Sequence, residues 1–128
     1  MTNNGKQKSV LIVEDDALQS LLLDKFISKL GYKVVGKTTQ GEEAVKLAEK
    51  LKPDIITMDI YLEHDMDGIS AVEHIHQQTL IPVIYITGNS DDYNLKRVQN
   101  TKFVDYLLKP ITLESLRQPL EKASKIKW

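Results

Sequence analysis

Glu14, Asp15 and Asp16 close the apolar run SVLIV, Asp59 closes the run IITM, and Lys109 follows YLL. Brought together, three neighbouring acids, a lone acid and a lysine have a definite chemistry. A hard divalent cation such as Mg²⁺ takes carboxylate oxygens and keeps several of its waters. A carboxylate can also act as a nucleophile and form a covalent intermediate. A lysine opposite would balance the charge. The set therefore suits a cation site beside a carboxylate nucleophile. Plainer roles compete. One of the three acids, Asp16 best of all, can cap a following helix. That leaves two others, and like charges this close repel unless a cation resolves them. Asp59 could form a turn, but Asp65, Asp67 and Gly68 already supply one. Thr87 could be a β-former or a hydroxyl donor to a phosphoryl oxygen, and Lys109 a solvated loop residue. The bond from Lys109 to Pro110 is of the X-Pro type, in which a minority adopt the cis form. Asp54, at the other end of the Asp59 segment, reads as a loop residue after Pro53. His64, His74 and His76 do not share a face, so they make no metal or phosphohistidine cluster.

These side chains meet only if their segments are parallel strands whose carboxyl ends share one edge, where open α/β sheets bind ligands. The pattern along the chain supplies such segments. Strands are expected at Ser9 to Glu14, Lys33 to Thr38, Ile55 to Asp59, Pro82 to Thr87 and Phe103 to Leu108. Helices alternate with them. Leu18, Leu22, Phe26 and Leu30 recur before Gly31; Ala44, Leu47, Ala48 and Leu51 precede Pro53; Ile69, Val72 and Ile75 follow Gly68. A short fourth helix covers Asp91 to Gln99 after the loop Gly88, Asn89 and Ser90. The last, capped by Thr112, turns Leu113, Leu116, Leu120 and Ala123 inward. Pro119 inside it predicts a kink or an irregular turn, a conflict worth about 3 kcal/mol. Five strands alternating with five helices imply a parallel sheet covered on both faces.

The bulk numbers agree with one globular domain. There are 128 residues, 41% hydrophobic and 27% charged, with a net charge of −1. That balance gives no electrostatic case for nucleic acid or a membrane surface. No cysteine is present, which excludes disulfides and thiolate metal sites. No apolar run is long enough to span a bilayer, and the polar start MTNNGKQK is unlike a secretory signal. A disordered tail over residues 1–8, a domain over 9–128 and a cytoplasmic location are the expectations.

Glu14-Asp15, Asp59, Thr87, Tyr106 and Lys109-Pro110, in that order and spacing, make the chain resemble the receiver (response regulator) domain of two-component signalling. The resemblance runs from about Ser9 to Lys125. It implies a flavodoxin-like (βα)5 three-layer sandwich with strand order 2-1-3-4-5. It also implies roles. Asp59 would be the phosphoacceptor, taking a phosphoryl group from a histidine kinase or phosphotransfer protein to give an aspartyl phosphate. Asp15, Asp59 and the backbone carbonyl of Tyr61 would ligate Mg²⁺ directly, with Glu14 acting through water. Lys109 would pair with Asp59 and then with the phosphoryl group. Thr87 and Tyr106 would be the switch pair, altering the face of the fourth helix, fifth strand and fifth helix. Family members often dimerise or dock partners there. Such a domain catalyses its own phosphorylation and dephosphorylation and serves mainly as a switch.

The loop MDIYLEHDMDG departs from the commoner family pattern: it lacks a proline soon after the acceptor and is one residue longer. Tyr61 and Asn89 stand where the family tunes phosphate lifetime, and Tyr61 is expected to restrict water access. The basic residues Arg117, Lys122, Lys125 and Lys127 read as a solvated helix face ahead of a docking surface. A constitutive interaction module with the same fold is the alternative, against which the intact acidic set, Thr87 and Lys109 argue. A dehalogenase-like phosphatase would need a second aspartate at position 61, and no phosphate-binding glycine loop is present. The 128 residues leave no room for a DNA-binding domain, so the chain is expected to be a lone receiver or a piece of a larger regulator or hybrid kinase.

Overall fold

Short apolar runs of four to six residues, most of them rich in valine and isoleucine, are too short for stable helices and pack well as pleated strands. The computed structural model describes residues 7–89 and 91–128, and in it these runs form one five-stranded parallel sheet. The strands are β1 (Ser9–Val13), β2 (Lys33–Thr38), β3 (Ile55–Met58), β4 (Val83–Thr87) and β5 (Asp105–Leu108). The helices are α1 (Ala17–Lys29), α2 (Gly41–Leu51), α3 (Gly68–Gln78), α4 (Asp92–Gln99) and α5 (Leu113–Lys125). The sheet order is β2-β1-β3-β4-β5, the expected flavodoxin-like arrangement.

Successive strand residues point to opposite faces, and here both faces are dry. Leu11, Val13, Ile56, Met58, Val83 and Tyr85 pack with Ala44 and Ala48 of α2 and Ile69, Val72 and Ile75 of α3. Val10, Ile12, Ile55, Ile84 and Ile86 pack with Leu23 and Ile27 of α1 and Leu116, Leu120 and Ala123 of α5. Among the described residues no helix is long and apolar enough to cross a membrane.

The capping residues explain where helices begin. Asp16 accepts the Gln19 N–H (3.0 Å) and starts α1, as expected. Asp67 caps α3, Asp91 caps α4, and Thr112 with Ser115 forms a reciprocal capping box at α5.

Two expectations change, at the strand ends and at Pro119, and two others gain detail. Strands end one residue short of Glu14 and Asp59 and begin one or two residues after Pro82 and Phe103. Next, α1 buries Leu23 and Ile27, whereas Leu18 is 64% exposed and Leu22 36%. A strict spacing of four advances about 40° per step on a helix of 3.6 residues per turn, so the series winds from solvent at Leu18 and Leu22 to the core, against which Phe26 and Leu30 pack. Pro119 does not break α5: the helix is continuous and buries the ring, so packing offsets the lost donor. Lastly, of the expected tail, residues 1–6 lie outside the described residues. Gln7 donates to the Gly31 carbonyl (3.2 Å), and the Lys8 carbonyl accepts the Lys33 N–H (3.0 Å). Ser90, expected in the loop before α4, is also outside the described residues.

Candidate functional site

Backbone hydrogen bonds carry the ladder one residue past three strands. Glu14 N–H donates to the Thr38 carbonyl (3.0 Å), Asp59 N–H to the Val13 carbonyl (3.0 Å), and Lys109 N–H to the Thr87 carbonyl (2.8 Å). The three residues are thereby pinned at the carboxyl edge of the sheet although each lies outside its strand. The strand order reverses between β1 and β3, the place where open α/β sheets bind ligands.

Their side chains meet there. Lys109 Nζ donates to Asp59 Oδ2 (3.0 Å) and Glu14 Oε2 (3.1 Å), and lies 2.9 Å from Glu14 Oε1. Glu14 and Asp59 are only 1% and 4% exposed. Asp16 N–H also donates to Glu14 Oε2 (3.1 Å), and Tyr61 N–H to Asp59 Oδ1 (3.2 Å). The Lys109 to Pro110 peptide is cis. With both carboxylates ionised, the single ammonium would leave this buried cluster a net negative charge. Burial, with Asp59 beside it, outweighs the pairing with Lys109 and pushes Glu14 up to about 7. Burial raises Asp59 too, against the same lysine. For Lys109, burial pulls downward, but the two carboxylates prevail and raise it.

A cation fits what is left open. One carboxylate oxygen each from Glu14, Asp15 and Asp59 lies within 4.8 Å of the others. Glu14 Oε1 is buried without a directed hydrogen bond, its lysine contact being an ion contact alone. Hard divalent cations take this oxygen-only donor set.

Thr87 is fully buried at the end of β4, and its Oγ1 accepts the Asn89 N–H (3.4 Å). The Tyr106 phenol donates to the Asn89 carbonyl (3.4 Å). Both expected switch residues therefore touch the same short stretch after β4. The histidines stay apart: His74 bonds the Ser70 carbonyl, His76 the Ile81 carbonyl, and His64 sits in the loop after β3.

Other groups at the site escaped sequence reasoning. A Cβ on Gly68 would stand 1.9 Å from the Asp59 carbonyl oxygen, so only glycine lets α3 start this close to the Asp59 backbone. A glycine in a first helical turn was the available signal. The phenol of Tyr61 donates to the Asp91 carboxylate and accepts from Asn94 Nδ2 (2.8 Å). The bond to Asp91 raises the Tyr61 pKa and lowers that of Asp91. Arg97 clamps Asp67 through both guanidinium nitrogens (2.6 and 3.2 Å). These pairs lie 30 residues or more apart and leave no local sequence pattern.

Known proteins share this fold. A family model described as the response regulator receiver domain matches residues 10–121. The transcriptional regulatory protein PdtaR of Mycobacterium tuberculosis is 34% identical over 116 residues, 91% of this chain and 56% of that protein. The chemotaxis protein CheY of Thermotoga maritima is 34% identical over 119 residues, 92% of this chain and 98% of that protein. The chain thus spans about half of one relative and nearly all of another. Among solved structures, the receiver domain of a modulated diguanylate cyclase from Desulfovibrio desulfuricans G20 superimposes with a TM-score of 0.88 at 34% identity, covering 93% of this chain and 94% of that one. The receiver domain of a sensor histidine kinase from Pseudomonas aeruginosa PAO1, solved with a magnesium ion in its active site cleft, gives 0.84 at 28% identity, covering 94% and 100%.

Proposed function

The chain belongs to the response regulator receiver domain family, and from that premise we propose that residues 9–128 form a phosphoacceptor switch with Asp59 as the acceptor. The observation that carries this reading is the buried contact of Asp59 with Lys109 and Glu14 at the carboxyl edge of the sheet. A carboxylate oxygen of Asp59 attacks the phosphorus of a phosphohistidine on a sensor kinase or phosphotransfer protein. The phosphorus–nitrogen bond breaks, an aspartyl phosphate forms, and the histidine ring keeps the electron pair.

Glu14, Asp15, Asp59 and the backbone carbonyl of Tyr61 would hold Mg²⁺, with Glu14 acting through water. When bound, the ion supplies charge neutralisation at the transferring phosphoryl group. Lys109 orients Asp59 through its 3.0 Å bond and then pairs with the new phosphoryl oxygens. Thr87 is set to be a donor. Its oxygen already accepts the Asn89 N–H, so its own hydrogen remains available to a phosphoryl oxygen. Movement of Thr87 toward that oxygen would let Tyr106 turn inward and change the face of α4, β5 and α5, where an output partner or a second copy docks. Tyr61 and Asn89 would tune how long the phosphate lasts. A cytoplasmic location, no membrane contact and no nucleic acid contact by this chain complete the reading.

Incubation with Mg²⁺ and acetyl phosphate, read by intact mass, tests it. One phosphoryl adduct, absent in Asp59→Asn, is expected. No adduct with the folded chain, and no response to beryllofluoride, would instead mark a constitutive interaction module.

A further inference from the structure

We propose that Tyr61 is a positioning residue that straps the acceptor loop to α4, passing occupancy of the acid pocket to the first turn of that helix by a route separate from Thr87 and Tyr106. The inference rests on the reading of the pocket given above.

The two ends of Tyr61 do different things. Its N–H donates to Asp59 Oδ1 (3.2 Å), so its backbone shares the acceptor carboxylate with any ligand. Its phenol lies at the far side of the loop. There the hydroxyl donates to Asp91, which itself caps α4 by accepting the Asn94 N–H (2.8 Å), and accepts from Asn94 Nδ2 (2.8 Å). One residue therefore joins Asp59, through its backbone, to the capping group of α4, through its side chain.

Asn94 shows that this joint is built. On the core-facing side of α4 the buried residues are Asn94 and Val98, one turn apart. A buried amide is unfavourable unless it is hydrogen-bonded. Asn94 is 6% exposed and spends its amide on this network: Nδ2 donates to Tyr61 and to Asp91 (3.3 Å), and Oδ1 accepts from Arg97 (3.0 Å). Arg97 then reaches Asp67 at the far end of the same loop. So α4 grips the acceptor loop at both ends. The middle is held from the other side, by a bridge between Gln40 and Glu63 and by Met66 against Gly41. A loop fixed this way passes a displacement on rather than absorbing it.

The route needs only the pocket to be occupied, not Thr87 to move. Mg²⁺ alone should therefore reach α4. Amide NMR spectra of the whole chain, recorded to saturating Mg²⁺, are expected to shift at Asp15 and Asp59 and also at Asn94, Leu95 and the Asn94 side-chain amide. In Tyr61→Phe, which keeps the ring and loses the hydroxyl, the pocket signals should still shift and the α4 shifts should be lost. Asp91→Ser keeps a capping oxygen too short to reach the phenol, and should lose the α4 response as well. An α4 response that survives in Tyr61→Phe, or that is missing from the wild type while the pocket responds, overturns the strap and leaves the pocket reading intact. No shift at Asp15 and Asp59 in the wild type overturns the pocket reading and the strap with it.

Discussion

Strand β3 carries an aspartate at each end, and the two live in opposite conditions. Asp54, at the amino edge, is exposed and accepts the backbone N–H (2.8 Å) and hydroxyl (3.1 Å) of Ser9. It stitches the start of β3 to the start of β1 with neutral donors and needs no counter-charge. Asp59, at the carboxyl edge, is 4% exposed and leans on an ammonium shared with a second buried acid. The same side chain, five residues along one strand, is a surface stitch in one place and an under-neutralised charge in the other. Edge and burial, not residue type, separate a solvated carboxylate from a buried one that shares a single ammonium.

The sharpest way to break that contrast is to make one substitution at both ends. Asp59→Asn keeps the shape and removes the nucleophilic charge, so the phosphoryl adduct should vanish. Asp54→Asn should leave adduct formation at the wild-type rate, read by intact mass over time. An adduct that survives in Asp59→Asn would place the acceptor elsewhere.

Gly68→Ala attacks the carboxyl edge from its backbone. The new Cβ would sit 1.9 Å from the Asp59 carbonyl oxygen and 2.8 Å from its carbonyl carbon, where no flexible side chain can give way. The start of α3 or the Asp59 backbone must move. Such overpacking should destabilise the chain by about 3 kcal/mol, measured by urea unfolding, and slow adduct formation. Gly31→Ala is the contrast. Its φ of +98° strains an alanine, but nothing lies within 4 Å, so roughly 1 kcal/mol and normal phosphorylation are expected.

The two edges should also answer pH with opposite signs. Glu14 is raised from 4.5 to about 7 by burial, so the native chain binds a proton the unfolded chain has released. Stability then falls as pH climbs from about 4.5 to 7, and Asp59, also raised, adds in the same direction. Each tenfold difference in proton affinity between the folded and unfolded chain is worth about 1.4 kcal/mol; with Lys109 spreading the titration, a loss on the order of 2 kcal/mol is expected. Near the amino edge, His76 is lowered, first by burial, and its Nε2 meets the Ile81 carbonyl at 2.9 Å. Its contribution is present above the ordinary histidine value and lost as pH falls. Urea midpoints across pH in metal-free buffer separate the two. Glu14→Gln should remove most of the decline and uncover the His76 slope, whereas an unchanged decline would show that Glu14 titrates normally.

Much of this was legible in the sequence, for identifiable reasons. Apolar runs of four to six residues and capping groups such as Asp16 and Thr112 are local signals, and they carried the element order. The edge residues were legible because Glu14, Asp59 and Lys109 each interrupt or follow an apolar run, and a parallel sheet sends those ends to one place. What stayed hidden is long-range or rotational. The buried stripe of α1 depends on which way the helix rolls against the sheet, and several leucines compete for it. The Tyr61–Asp91 and Asp67–Arg97 pairs join residues 30 apart, with no period to betray them. Asn94 left a trace, as an amide one turn before Val98 on the inward stripe of a helix.

The smallest effect tests the quieter end of β3. Asp54→Ala removes two hydrogen bonds to Ser9, but both donors lie at the surface, where water can replace the lost acceptor. The penalty is then the net worth of exposed bonds and not that of orphaned groups, about 1 kcal/mol. Asp54→Asn retains an acceptor oxygen and should fall below that. A loss of several kcal/mol from Asp54→Ala would mean that the Ser9 stitch is buried in the folding chain and that the amino edge, too, depends on a carboxylate. A small loss leaves one end of the strand able to accept a neutral side chain, while at the other the same exchange is expected to abolish the phosphoryl adduct.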